Sequence, residues 1–68
     1  MRLSARNILP GTVLSITKGA ATAHVLIELE PGLTVFSAIT NEAVDELSLT
    51  VGDRVSAIIK SSDVMIGK

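Results

Sequence analysis

At 68 residues, with no cysteine and a single histidine, the chain is one domain at most (1–68) and has neither a disulfide framework nor the ligand set of a structural zinc site to brace a small core. Hydrophobic residues make up 47% of it, more than a monomer of this length can easily hide, so association with further copies is the brace that remains. The formal charge of −1 excludes the broad basic field that gathers nucleic acid and leaves room only for a local cationic site.

The opening stretch MRLSARN has no apolar segment behind its charges, and no apolar run approaches a membrane span. A cytoplasmic chain with no membrane partner is expected. Val, Ile, Thr and Leu dominate and Gly or Pro punctuates the segments, the pattern of short strands joined by turns. Pro10-Gly11 reads as a turn, followed by a first strand from about Thr12 to Lys18 that stops at Gly19. Gly19 and the small residues after it form a hairpin connection.

TAHVLIEL is the clearest strand, with Ala23, Val25, Ile27 and Leu29 on one face and Thr22, His24, Leu26 and Glu28 on the other. Pro31-Gly32 makes a second turn into a third strand, where Leu33, Val35, Ser37 and Ile39 oppose Thr34, Phe36 and Ala38. TNEAVDELSL breaks the alternation. Thr40 or Asn41 can N-cap a short helix, Glu42 lies in its first turn, and Ala43, Val44 and Leu47 share one face. A fourth strand sets Val55, Ala57 and Ile59 against Ser56, Ile58 and Lys60, and DVMIG gives a short fifth. Five strands in a mainly β chain, with a helix between the third and fourth, is the plan of an OB-fold barrel; a small SH3-like barrel is the alternative.

Catalysis by proton transfer or nucleophilic attack needs an activated group, and His24 sits on a regular strand face with no evident partner. It reads as a solvent- or interface-facing residue, and Asp45 and Glu46 as a solvated helix face. No P-loop, dinucleotide fingerprint or metal-ligand spacing is present. OB-folds that take single-stranded nucleic acid use aromatic platforms along a basic groove, and this chain has one Phe, no Tyr and no Trp.

Two polar clusters remain, SAR near the start and KSS near the end. A small oxyanion is held by a guanidinium fork, an ammonium, hydroxyls and backbone N–H groups, and these segments supply all of them. If LSARN is extended, Ser4 and Arg6 point to the same side while Ala5 faces away with its backbone free to donate. A surface Arg and Lys flanking two strand ends is the alternative reading of the same residues.

SARN, GTV, KGAATAHV, AITNEAVDEL and KSSDVMIG, in that order along nearly the whole chain, resemble the Mop family, the molybdate-binding molbindins with a Mop/TOBE-type domain. The resemblance implies a cytoplasmic binder of molybdate or tungstate with an OB-like fold, no organic cofactor and no catalysis, storing or buffering the oxyanion. It implies a homo-oligomer, a hexamer built as a trimer of dimers, with anions between subunits. By matching position it implies an oxyanion site of Ser4, Ala5, Arg6, Lys60 and Ser61, completed by Thr40 and Ala43 of a neighbouring subunit. A second class of anion site is implied near the hairpin at Lys18, Gly19 and Ala20. A molybdate-sensing interaction module and a nucleic-acid-binding OB module are the competing readings.

Overall fold

The computed structural model describes residues 4–68, and Leu3 of the LSARN stretch lies outside the described residues. The elements are β1 (Asn7–Lys18), β2 (Thr22–Glu30), β3 (Leu33–Thr40), α1 (Asn41–Glu46) and β4 (Arg54–Ile59), followed by a single 3-10 turn at Ser61–Asp63. The strands form one antiparallel sheet in the order β3-β2-β1-β4, which curls into an open half-barrel of OB-like type.

β1 is the spine. Its first half, Asn7 to Thr12, pairs with β4, and from Thr12 to Lys18 it pairs with β2. The first strand therefore begins five residues before the expected Thr12, and Pro10-Gly11 is not a turn. Pro10 sits where β1 has a neighbour on one side only, the setting in which a strand tolerates a residue without an N–H. Gly11 lies beside the point where β1 changes partner, and a Cβ there would fall 2.7 Å from both the Glu28 carbonyl oxygen and Ile27 Cγ2. What reads locally as a Pro-Gly turn is a strand passing close to its neighbour's backbone.

Just beyond, the β1–β2 register shifts between Val13 and Ser15. The loop into β4 is tied on here, with Val13 N–H donating to the Asp53 carbonyl at 2.9 Å and Gly52 N–H to the Val13 carbonyl at 2.8 Å. Bulge and loop together close the partner change that curls the sheet.

The inner face follows the expected alternation. Val13, Ala23, Val25, Ile27, Val44 and Ala57 are buried, with Leu9, Val35, Ile39 and Val55 packed around them. The β2–β3 turn carries Gly32 at φ +83°, a conformation that side chains resist. α1 closes one end of the half-barrel with Val44. It stops where Ser48 N–H bonds the Asp45 carbonyl and Leu49 N–H the Val44 carbonyl, an arrangement that uses the last free carbonyls of the helix. Leu47, expected on the inward helical face, is 66% exposed because it already belongs to this C-cap.

There is no fifth strand among the described residues. After Ile59 the chain enters the 3-10 turn, and residues 64–68 have no regular structure. Alternating apolar residues make a strand only beside a partner edge, and this tail has none among the described residues, with Met65 and Ile66 92% and 90% exposed.

Gly11→Ala should lower the thermal midpoint by several degrees, corresponding to overpacking of about 1–3 kcal/mol, because its new methyl meets backbone as well as a side chain. A melting curve checks this. An unchanged midpoint would mean that the two strands part freely at this point.

Candidate functional site

The two terminal clusters, distant in sequence, meet in space. The outermost pair of the β1–β4 ladder is Asn7 with Ile59, and one residue further out on each strand are Arg6 and Lys60. The Asn7 side chain crosses this pair, its Nδ2 donating to the Ile59 carbonyl at 3.1 Å. Ser4, Ala5 and Arg6 on one side and Lys60 and Ser61 on the other thus leave the sheet at the same end. The extended conformation expected for LSARN is not adopted, because the chain bends at Ser4 and again at Arg6 before β1 begins. Ser4 and Arg6 are nevertheless exposed and Ala5 half-buried.

On the terminal side of β4, the Lys60 carbonyl accepts from Asp63 N–H at 2.9 Å, so the backbone carrying Lys60, Ser61 and Ser62 is folded into a turn. Ser61 and Ser62 are both exposed. Among the described residues the one ion pair is Lys18 with Asp45. Arg6 and Lys60 thus each follow the last rung of the ladder on their own strand, and neither cation has a carboxylate partner among the described residues, which leaves positive charge at this end of the sheet to attract an anion.

Thr40 and Ala43 lie elsewhere. Thr40 pairs with Thr22, and Lys18 with Ala23, so the start of α1 is at the far end of β1 from Asn7. Twelve residues of strand separate the two ends, roughly 35 Å of contour at about 3.3 Å per residue. Thr40 and Arg6 therefore belong to opposite ends of β1. Thr40 is the N-cap, its Oγ1 accepting from Ala43 N–H at 3.0 Å. The Asn41 N–H is taken by the Ala21 carbonyl at 2.9 Å. Ala43 N–H is therefore already satisfied in the chain, while the Thr40 hydroxyl proton is still available to donate.

The hairpin group is engaged as well. Lys18 Nζ is 2.6 Å from Asp45 Oδ1, Gly19 N–H donates to the Thr22 carbonyl at 2.8 Å, and the Gly19 carbonyl accepts from Asn41 Nδ2 at 2.9 Å. Ala20 is exposed at the tip. The structure so brings Lys18 and Gly19 against α1, with the charge of Lys18 met by Asp45.

Two residues with a part at these places do not stand out in the sequence. Asp45 reads as one of two solvated helix acids, and only the fold sets it against Lys18. Asn41 reads as an alternative N-cap; it instead joins helix to hairpin, and its Oδ1 is buried with no hydrogen-bond partner among the described residues. His24 keeps to the outer face, tilted against Phe36 with ring centroids 5.0 Å apart. Among the described residues no three His, Asp or Glu side chains converge on a cation site, and no helix is long and apolar enough to cross a membrane.

Comparison with known proteins places these features in a family. The model of the TOBE domain matches residues 3–66. Molybdenum-pterin-binding protein 1 of Clostridium pasteurianum is 44% identical over 66 residues, covering 97% of each chain. A molybdate-binding protein from Sporomusa ovata superposes over the full length of both chains with a TM-score of 0.93 at 35% identity. The cytoplasmic molybdate-binding protein ModG, solved with molybdate bound, gives a TM-score of 0.90 at 51% identity over 96% of this chain and 46% of its own.

Thr40→Ala should cost about 1 kcal/mol of stability by removing the acceptor for Ala43 N–H, while Thr40→Ser keeps the cap. Chemical denaturation of the two variants separates them. Equal stabilities would show that the cap bond adds nothing.

Proposed function

The chain belongs to the TOBE-domain family, alongside Mop-type molybdenum-pterin-binding relatives, and from that premise we propose that it binds molybdate or tungstate between subunits of a homo-oligomer, as a store or buffer of the oxyanion without catalysis. The observation that carries this reading is the Asn7–Ile59 pair, the last rung before Arg6 on one strand and Lys60 on the other, with no carboxylate partner for either cation among the described residues. A tetrahedral dianion suits that place. The guanidinium can bridge two oxygens, the ammonium meets a third, and hydroxyl and backbone N–H groups supply shorter-range donors. Binding asks for charge and directed donors, and the site offers those without an activated nucleophile or base.

The second half of the proposed site, Thr40 and Ala43, comes from another subunit. Their place at the far end of β1 from Arg6 and Lys60 supports this. Thr40 would contribute its free hydroxyl proton. Ala43 would contribute its small side chain, which leaves room for the anion, because its N–H is used by the cap. The hexameric state proposed from the family pattern also fits the amount of apolar surface that the chain leaves uncovered. An open trough of about 460 Å³ runs along the inner face between β3 and β4, and Phe36, Met65 and Ile66 are among the exposed apolar side chains. Surface of this kind is characteristic of a subunit boundary. The hairpin residues Lys18, Gly19 and Ala20 stay a proposed second anion site, where an anion would compete with Asp45 for Lys18. A cytoplasmic location accompanies this function.

Arg6→Lys should weaken molybdate binding clearly in a correctly assembled protein, since an ammonium cannot reproduce the planar fork. Calorimetric titration measures it, and an unaltered affinity would remove Arg6 from the site.

Ligand and assembly should also be linked. An anion that binds only the assembled protein stabilises it by about 2.7 kcal/mol at a hundred times its dissociation constant. Molybdate should therefore raise the thermal midpoint and hold the oligomer together on dilution, with Lys60→Ala reducing that protection. Sedimentation over a dilution series, with and without molybdate, provides the check. Tight binding that leaves the dissociation midpoint of the wild type in place would put the sites within single chains.

A further inference from the structure

We propose that Asn7 is a positioning residue of the oxyanion site, acting through the peptide that joins Ile59 to Lys60. The inference rests on the oxyanion reading above and extends it to a residue that the implied site does not include.

The Asn7 Nδ2–Ile59 carbonyl bond is 3.1 Å long, spans 52 residues of sequence, and is partly buried. The Ile59 carbonyl and the Lys60 N–H are the two ends of one planar trans peptide, so a donor that holds the oxygen also sets the direction of the N–H. It sets the Cα of Lys60 as well, and with it the path on which the ammonium leaves the strand. Regular β1–β4 pairing ends at this rung, and beyond it the chain bends at Arg6 on one side and enters the 3-10 turn on the other. Terminal rungs of a ladder fray, and this one is followed on each strand by a cation.

No other side-chain bond ties the two segments together among the described residues. Lys60 occupies the cap position of the 3-10 turn without a side-chain cap bond, and its carbonyl is held only within that turn. With the tie in place, Arg6 and Lys60 keep a fixed separation while the site is empty, and less ordering is left for the anion to impose. Asn suits the position because it brings an uncharged donor on a short side chain with few rotamers. A carboxylate could not donate, and it would neutralise the cations.

The test is a double-mutant cycle on the full chain, titrating molybdate by calorimetry into the wild type, Asn7→Leu, Lys60→Ala and the double variant. Asn7→Leu, which removes the donor at similar volume, should lower affinity about tenfold, with the ligand-free oligomer and its thermal midpoint close to wild type. Asn7→Gln, which retains an amide donor, should recover part of the loss. In the Lys60→Ala background Asn7→Leu should cost at most about twofold, since a residue that works by placing Lys60 has little left to place. Should Asn7→Leu fail to assemble, Asn7→Ser carries the same cycle. Wild-type affinity in the Asn7 variant, or the same fold loss with and without Lys60, would overturn the inference while molybdate binding by the wild type stands. A wild type that takes up no molybdate would overturn the oxyanion reading and this one with it.

Discussion

The antiparallel pairing of β1 with two different partners is the constraint on which the rest of this molecule depends. A strand that pairs with β4 in its first half and with its hairpin neighbour β2 in its second joins segments from the two halves of the chain into one sheet. The change of partner requires the close passage at Gly11, the register shift after Val13, and the two backbone bonds from Val13 to the loop before β4. Those features curl the sheet, and the curl makes an inner face on which small and β-branched side chains suffice for a core.

The same pairing arranges the chemistry. One end of β1 carries the Arg6 and Lys60 cations, and the other carries the hairpin and the start of α1. Their separation along the strand is what the proposed sharing of a site between two copies rests on. Within a chain, the cap at Thr40 and the Lys18–Asp45 pair engage groups at the far end, whereas neither Arg6 nor Lys60 has a carboxylate partner among the described residues.

Much of this was legible in the sequence. Alternation located the inward faces of β2, β3 and β4, since side chains on a strand have a period of two wherever the strand lies. Thr40 followed by Glu42 and Ala43 marked the helix start, because capping is a local hydrogen bond over three residues. The hydroxyls and cations of SAR and KSS were visible as a donor set, and their order along the chain carried the family resemblance. Other features were misread for a common reason. Pro10-Gly11 looked like a turn because both residues favour turns locally, and DVMIG looked like a strand because it alternates.

What the tertiary structure alone decided is everything that depends on which segments become neighbours. Nothing in the LSARN stretch says that its Asn will reach a carbonyl 52 residues away, or that Asp45 will meet Lys18 across a hairpin. Gly11 is demanded by a backbone oxygen of β2, and DVMIG forms no strand because no edge among the described residues receives it. The sequence determined the types of residue, the period of each segment and the donors available to a ligand, because these are properties of a few consecutive residues. Register, close approach and the distance between donor groups belong to pairs of segments, and they exist only once the sheet has formed.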